Sequence, residues 1–180
     1  MSAKTTTQRI AGLALLAGMT ITGLLAATGA ANAAPRTTNP ATSSVVAKAA
    51  QNAPAYAAEV LRLTNQERAK AGCGALVANT KLAAAAKGHN DEMAAQNYFS
   101  HTGADGSAPA QRVDAAGYYW RATAENIAMG QSTPAAVVRA WMNSAGHKAN
   151  ILNCAYKDLG VAYTVNSRGK AYWTENFGSL

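Results

Sequence analysis

Residues 158–178 read DLGVAYTVNSRGKAYWTENFG, and the period of that stretch decides the fold class. Leu159, Val161, Tyr163 and Val165 alternate with Gly160, Ala162 and Thr164, the two-residue period of a half-buried strand. Asn166-Ser167-Arg168-Gly169 fits a four-residue hairpin loop, and Lys170 to Phe177 supplies the returning strand. Upstream the period is helical. In Tyr56 to Ala71 one side carries Tyr56, Val60, Leu61 and Leu63, Arg62, Gln66 and Lys70 fall elsewhere, and Gly72 stands where a glycine ends a helix. A second helix starts at Asn79 or Thr80, both good N-caps, and runs to about Tyr98 with Leu82, Ala85, Ala86, His89 and Met93 on its inner face. Pro109 opens a short helix through Ala116, stopped by Gly117. Ser132 or Thr133 followed by Pro134 opens another, carrying Val137, Val138, Trp141 and Met142 and ending at Gly146. The stretch from Tyr118 to Met129 stays open between helix and strand. Helices come first and an antiparallel sheet last, which is an α+β layout.

The chain has 180 residues, 16 Lys+Arg against 9 Asp+Glu, a formal charge of +7 and two cysteines. That length suits one domain. Residues 1–33 read as a secretory signal: Lys4 and Arg9 give a positive start, Leu13 to Leu25 form an apolar stretch, and Ala31-Asn32-Ala33 offers a peptidase site. The alternative is an uncleaved anchor; the Ala, Gly and Thr content and the A-x-A exit favour cleavage, and the composition suggests export from a bacterium. Residues 34–54, rich in Pro, Thr, Ser and Ala, read as a flexible linker. The domain then covers 55–180, with 12 basic and 9 acidic residues, or +3. No basic run remains, so the charge pattern argues against nucleic acid as a partner. No permanent membrane anchor is expected, and the product is placed outside the cell.

Cys73 and Cys154 enter an oxidising compartment on this reading. An even pair there reads as a disulfide rather than a catalytic thiol. Closing an 81-residue separation is worth roughly 4.5 kcal/mol in the chain-entropy model.

The common catalytic signatures are absent: no G-x-S-x-G, H-E-x-x-H, P-loop, G-x-G-x-x-G or C-x-x-C occurs. Three histidines and one carboxylate remain to be read. His89 shares a helix face with Leu82 and Met93, so it reads as a hydrogen-bonded core residue. His101 leaves a helix into a loop, His147 follows Gly146 at a helix end, and Glu125 stands in a stretch with few charges. Two imidazoles and a carboxylate form a valid ligand set for a zinc-like ion, although their spacing has no local metal signature.

These pieces lie in an order that resembles the CAP superfamily: cysteine-rich secretory proteins, antigen 5 and plant pathogenesis-related proteins, also called SCP domains. Leu63-Thr64-Asn65-Gln66-Glu67-Arg68 resembles the opening helix. Leu82 to Ala86 with His89-Asn90-Asp91-Glu92-Met93, then Tyr98-Phe99-Ser100-His101, resembles the second. Ala124-Glu125-Asn126-Ile127-Ala128 is similar to the family's GENIA segment. Trp141 to His147 with Asn150-Ile151-Leu152 resembles "W..SPGH...IL", and Leu159-Gly160-Val161 and Tyr172 to Gly178 resemble the closing strands.

The resemblance implies a three-layer α-β-α sandwich with a central antiparallel sheet and a cleft lined by two His and two Glu that can hold Zn2+ or another divalent cation. No metal is required for folding. Carried over, His101, Glu125 and His147 line the cleft, with His101 and His147 as the metal ligands. Ser144 stands where the second Glu usually does, Ala124 replaces the usual Gly and Ala145 the usual Pro. The cysteine pair resembles one in secreted actinobacterial relatives. The implied function is a secreted, non-catalytic binding or interaction module with a metal-capable cleft. One alternative is a metal-dependent hydrolase, protease or nuclease, with Glu125 as general base. Another is an extracellular lipid or sterol binder; Tyr118, Tyr119 and Trp120 are candidates to line its groove, to pack in the core or to form an exposed patch, and the sequence does not locate the groove. The partners implied are a lipid or sterol, a cell-wall component or a host surface.

Overall fold

The computed structural model describes residues 40–180; the expected signal segment lies outside them. The elements are α1 (Pro40–Lys70), β1 (Val77–Ala78), α2 (Thr80–Gln96), α3 (Pro109–Ala115), β2 (Ala122–Met129), α4 (Pro134–Met142), α5 (Ala145–Ile151), β3 (Asp158–Val165) and β4 (Ala171–Ser179). The hairpin forms as its alternation requires: Val165 pairs with Ala171, and Leu159 with Phe177. Asn166 shapes the turn, its Oδ1 accepting from the Arg168 and Lys170 amides, while Gly169 takes a positive φ of 77°.

The strand order is β1-β3-β4-β2. The sheet is mixed rather than purely antiparallel, because β1 runs parallel to β3 through Val77↔Asp158 and Ala78↔Leu159. Two exposed residues leave no alternation to read, so β1 had no sequence signal. Helix α2 covers one face of the sheet and α1 the other, giving the three layers expected. Gly160 on β3 lets α2 sit directly on the strand, since a Cβ there would lie 2.0 Å from the Ala83 nitrogen. The larger core packs Val60, Trp141, Trp173 and Phe177 on the opposite face; all four are essentially inaccessible. Burying the two Trp side chains is the largest apolar contribution there, about 3 kcal/mol each.

Helix α1 begins at Pro40, so residues 40–54, expected as a linker, are helical. Their alanines favour helix, and Ala49 is already buried in the core. The helix passes through Pro54 despite the amide hydrogen that proline lacks. Asn79 caps α2, accepting from the Lys81 and Leu82 amides. Thr133 caps α4, accepting from Ala136 N. That helix stops at Met142 rather than at Gly146. Ser144 takes an extended conformation (φ −103°, ψ 122°) and starts α5. His147 therefore stands in the first turn of a new helix, not at the end of an old one. The open stretch after Tyr118 becomes the edge strand β2. Cys73 and Cys154 are disulfide-bonded with their Cα atoms 4.9 Å apart.

Candidate functional site

The site gathers at the β2 edge of the sheet. Alternation along β2 sends Glu125 to the α2 and α3 side and Asn126 to the α1 and α5 side. Their register partners agree: Glu125 lies opposite Asn176, which reaches Leu82 of α2, and Asn126 lies opposite Glu175, which reaches Thr64 of α1.

His101 arrives on the loop after α2, and His89 sets that loop. His89 is buried as expected, and its Nε2 donates to the Ser100 carbonyl at 2.8 Å. One residue on, His101 Nδ1 meets Glu125 Oε1 at 2.8 Å. The carboxylate only accepts, so Nδ1 carries the hydrogen and Nε2 is the nitrogen left to a ligand. The imidazole is half exposed (49%), whereas the Glu125 side chain is 1% exposed.

Arg112 of α3 holds the other oxygen. Its Nη2 donates to Glu125 Oε2 at 2.9 Å and to the His101 carbonyl at 2.8 Å, and Nη1 donates to the Ser107 carbonyl at 2.8 Å. The sequence reading missed Arg112, since nothing in Pro109-Ala110-Gln111-Arg112 distinguishes it from a surface arginine on a short helix.

His147 approaches from α5. Burial, and secondarily His101 nearby, holds its imidazole below the usual histidine range. Its backbone carbonyl accepts from Asn126 Nδ2 at 3.1 Å. Ser144, half-buried one turn earlier, is the N-cap residue of α5, and its hydroxyl makes no capping bond. The structure therefore joins His101 directly to Glu125, sets His101 near enough to His147 to disfavour the charged form of the His147 imidazole, and leaves Ser144 at the start of the helix that carries His147.

Behind His147 lies a second residue that the sequence reading missed. Glu175 is fully buried on β4. Oε1 accepts from Asn126 Nδ2 at 2.9 Å, and Oε2 lies 3.5 Å from Thr64 Oγ1. Burial pushes its carboxyl up to about 8, against the opposing effect of these two partners. Asn150 Nδ2 donates to Asn126 Oδ1 at 2.8 Å, so Asn126 ties Glu175 to two points on α5. The polar triplet Thr174-Glu175-Asn176 inside a returning strand was the available signal.

The donor set falls short of a resident zinc site. A catalytic zinc takes three protein ligands and a structural one four. Glu125 has both oxygens committed, Ser144 brings no carboxylate, and only the His101 Nε2 and His147 nitrogens remain. Among the described residues no group of three or more His, Cys, Asp or Glu side chains is arranged to hold a metal ion.

The family model described as "CAP: Cysteine-rich secretory protein family" matches residues 61–177. The uncharacterized protein YkwD of Bacillus subtilis is 38% identical over 123 residues, 68% of this chain and 47% of that protein. The uncharacterized membrane protein YlbC of the same organism is 34% identical over 119 residues, 66% of this chain and 33% of its own length. The chain thus spans less than half the length of either curated relative. Among solved structures, an extracellular protein containing a SCP domain from Bacillus anthracis aligns with a TM-score of 0.69 and 28% identity, covering 74% of this chain and 43% of that one.

Proposed function

Since the chain belongs to the CAP, or cysteine-rich secretory protein, family, we propose that it is an exported, non-catalytic binding module whose cleft is centred on His101 and His147. The observation that carries this reading is the full commitment of Glu125. A general base must reach the proton that it abstracts. Here one oxygen receives the imidazole N–H and the other a guanidinium N–H. Glu125 acts as the orienting partner of His101 and leaves Nε2 facing outward. A divalent ion entering the cleft meets only two imidazoles, with water left to complete its shell, and is held weakly.

The test is turnover of peptide and nucleic-acid panels, with and without added zinc. The expected result is none above a Glu125→Gln control. Hydrolysis that disappears in Glu125→Gln would overturn the binding reading in favour of a metal-dependent hydrolase. Zinc titration of the double variant His101→Ala, His147→Ala should show that all cleft-bound zinc is lost; an unchanged isotherm places the ion elsewhere.

One observation favours a second reading, a carrier of lipid or sterol. Pro54 and Ala57 of α1, Thr80 and Ala83 of α2 and Val161 of β3 line two adjoining pockets of about 420 and 260 Å³. The aromatic run lies outside these two pockets and divides between the core and the surface, as two of its open readings had it: Tyr118 is buried and donates to Asp158 Oδ2 at 2.7 Å, while Tyr119 and Trp120 are exposed. Uptake of a fluorescent fatty acid that Ala57→Trp blocks would support the carrier reading; uptake insensitive to that change would dismiss this groove.

A further inference from the structure

Resting on the binding reading above, we infer that Arg112 is a specificity-determining residue: it serves as the resident cation of the cleft and turns the cleft away from divalent metal ions. Three features carry this. The first is charge. Arg112 cancels Glu125 and Ser144 adds no charge, so the groups that would face a divalent ion bring no net negative charge to offset its dehydration; the neighbouring Glu92 and Asp105 are engaged by the Tyr98 hydroxyl and Ala104 amide and by the Ser107 amide.

The second is occupancy. Glu125 Oε2 already accepts from Nη2 at 2.9 Å, so a metal would have to displace a guanidinium whose side chain is only 11% exposed. The third is anchorage. Arg112 also holds the His101 and Ser107 carbonyls, at 2.8 Å each, so the loop that delivers His101 closes around the guanidinium. Releasing Glu125 to a metal would strand a nearly buried positive charge and loosen the loop that presents the first imidazole. Arg112 acts on both candidate ligands of this loop and strand, through Glu125 Oε2 and through the His101 carbonyl.

The sign of the effect separates this role from a merely structural one. A residue that only props up the cleft weakens every ligand when it is removed. A resident cation, once neutralised, strengthens the binding of metal. The experiment is calorimetric titration of the full chain with zinc chloride at pH 7.5, beside Arg112→Gln, Arg112→Met and Arg112→Lys. Gln keeps a donor for Glu125 Oε2 without the charge, Met removes both, and Lys keeps the charge.

Gln and Met are expected to tighten zinc binding by about tenfold or more, about 1.4 kcal/mol. Lys should remain near the unmodified chain, and adding Glu125→Gln to Arg112→Gln should abolish the gain. Unchanged or weaker zinc binding in folded Arg112→Gln overturns the inference, as does equal tightening in Arg112→Lys. Should the neutral variants fail to melt cooperatively, the unmodified chain supplies the answer. Its Arg112 side-chain N–H resonances should keep their positions in excess zinc, and their displacement would mean that Glu125 had passed to the metal. Turnover and zinc affinity are read separately, so the binding reading and the role of Arg112 can fail independently.

Discussion

Replacing Glu175 by Gln should stabilise the protein at neutral and alkaline pH and leave it nearly unchanged in acid. Glu175 is completely inaccessible, accepts from Asn126 and adjoins Thr64. Among the described residues no cationic side chain forms an ion pair with it. Burial lifts its carboxyl from 4.5 to about 8. Below pH 4.5 the proton is present in both folded and unfolded chains, and pH has no leverage through this group. Between 4.5 and about 8 the unfolded chain releases the proton while the folded chain keeps it, so stability falls as pH rises. At about 1.4 kcal/mol per pH unit, the cost at pH 7 is on the order of 3 kcal/mol, growing to roughly 5 kcal/mol above pH 8. A glutamine is neutral throughout. Its carbonyl accepts from Asn126 and its amide faces Thr64, which preserves the polar contacts. Urea unfolding followed by tryptophan fluorescence from pH 4 to 9 tests this in both chains. The variant should gain stability progressively above pH 5. Parallel pH profiles for the two proteins would refute the reasoning, because Glu175 would then not be the group that titrates.

Two further changes probe the frame around the site. Arg68 is fully buried and donates to the carbonyls of Gly74, Ile151, Asn153 and Tyr156; Arg68→Met should cost on the order of 3 kcal/mol or more, measured by denaturant titration, because these acceptors lose their partner. Gly160→Ala forces α2 away from β3, since a Cβ meets backbone atoms at 2.0 and 2.1 Å, and should cost about 1–3 kcal/mol in the same assay; a neutral result there would mean that α2 shifts without resistance.

What the sequence disclosed follows the range of each interaction. The hairpin, the Asn79 cap, the Thr133-Pro134 helix start and the inner face of α2 rest on neighbours within a few residues, and all were legible. The first fifteen residues of α1 were not, because Ala, Ser and Thr carry no apolar period and only Ala49 marks the buried side. The break at Ser144 escaped notice because a serine inside an apolar-periodic run signals no change in backbone. His101, Glu125 and His147 became a group only through likeness to a family. Arg112 and Glu175 had no such help. Arg112 meets Glu125 across 13 residues and Glu175 meets Thr64 across 111, distances over which one-dimensional spacing carries no information.

Arg68 gives the disulfide a different standing. Its guanidinium grips Ile151, Asn153 and Tyr156, the segment that contains Cys154, while its Nε grips Gly74 beside Cys73. One side chain thus aligns both sulfur-bearing segments through hydrogen bonds that need no oxidant. The chain can reach its native arrangement first and acquire the covalent link afterwards, and with two cysteines there is no wrong partner to choose. In an oxidising compartment, oxidation then acts as a latch on a door that Arg68 has already closed.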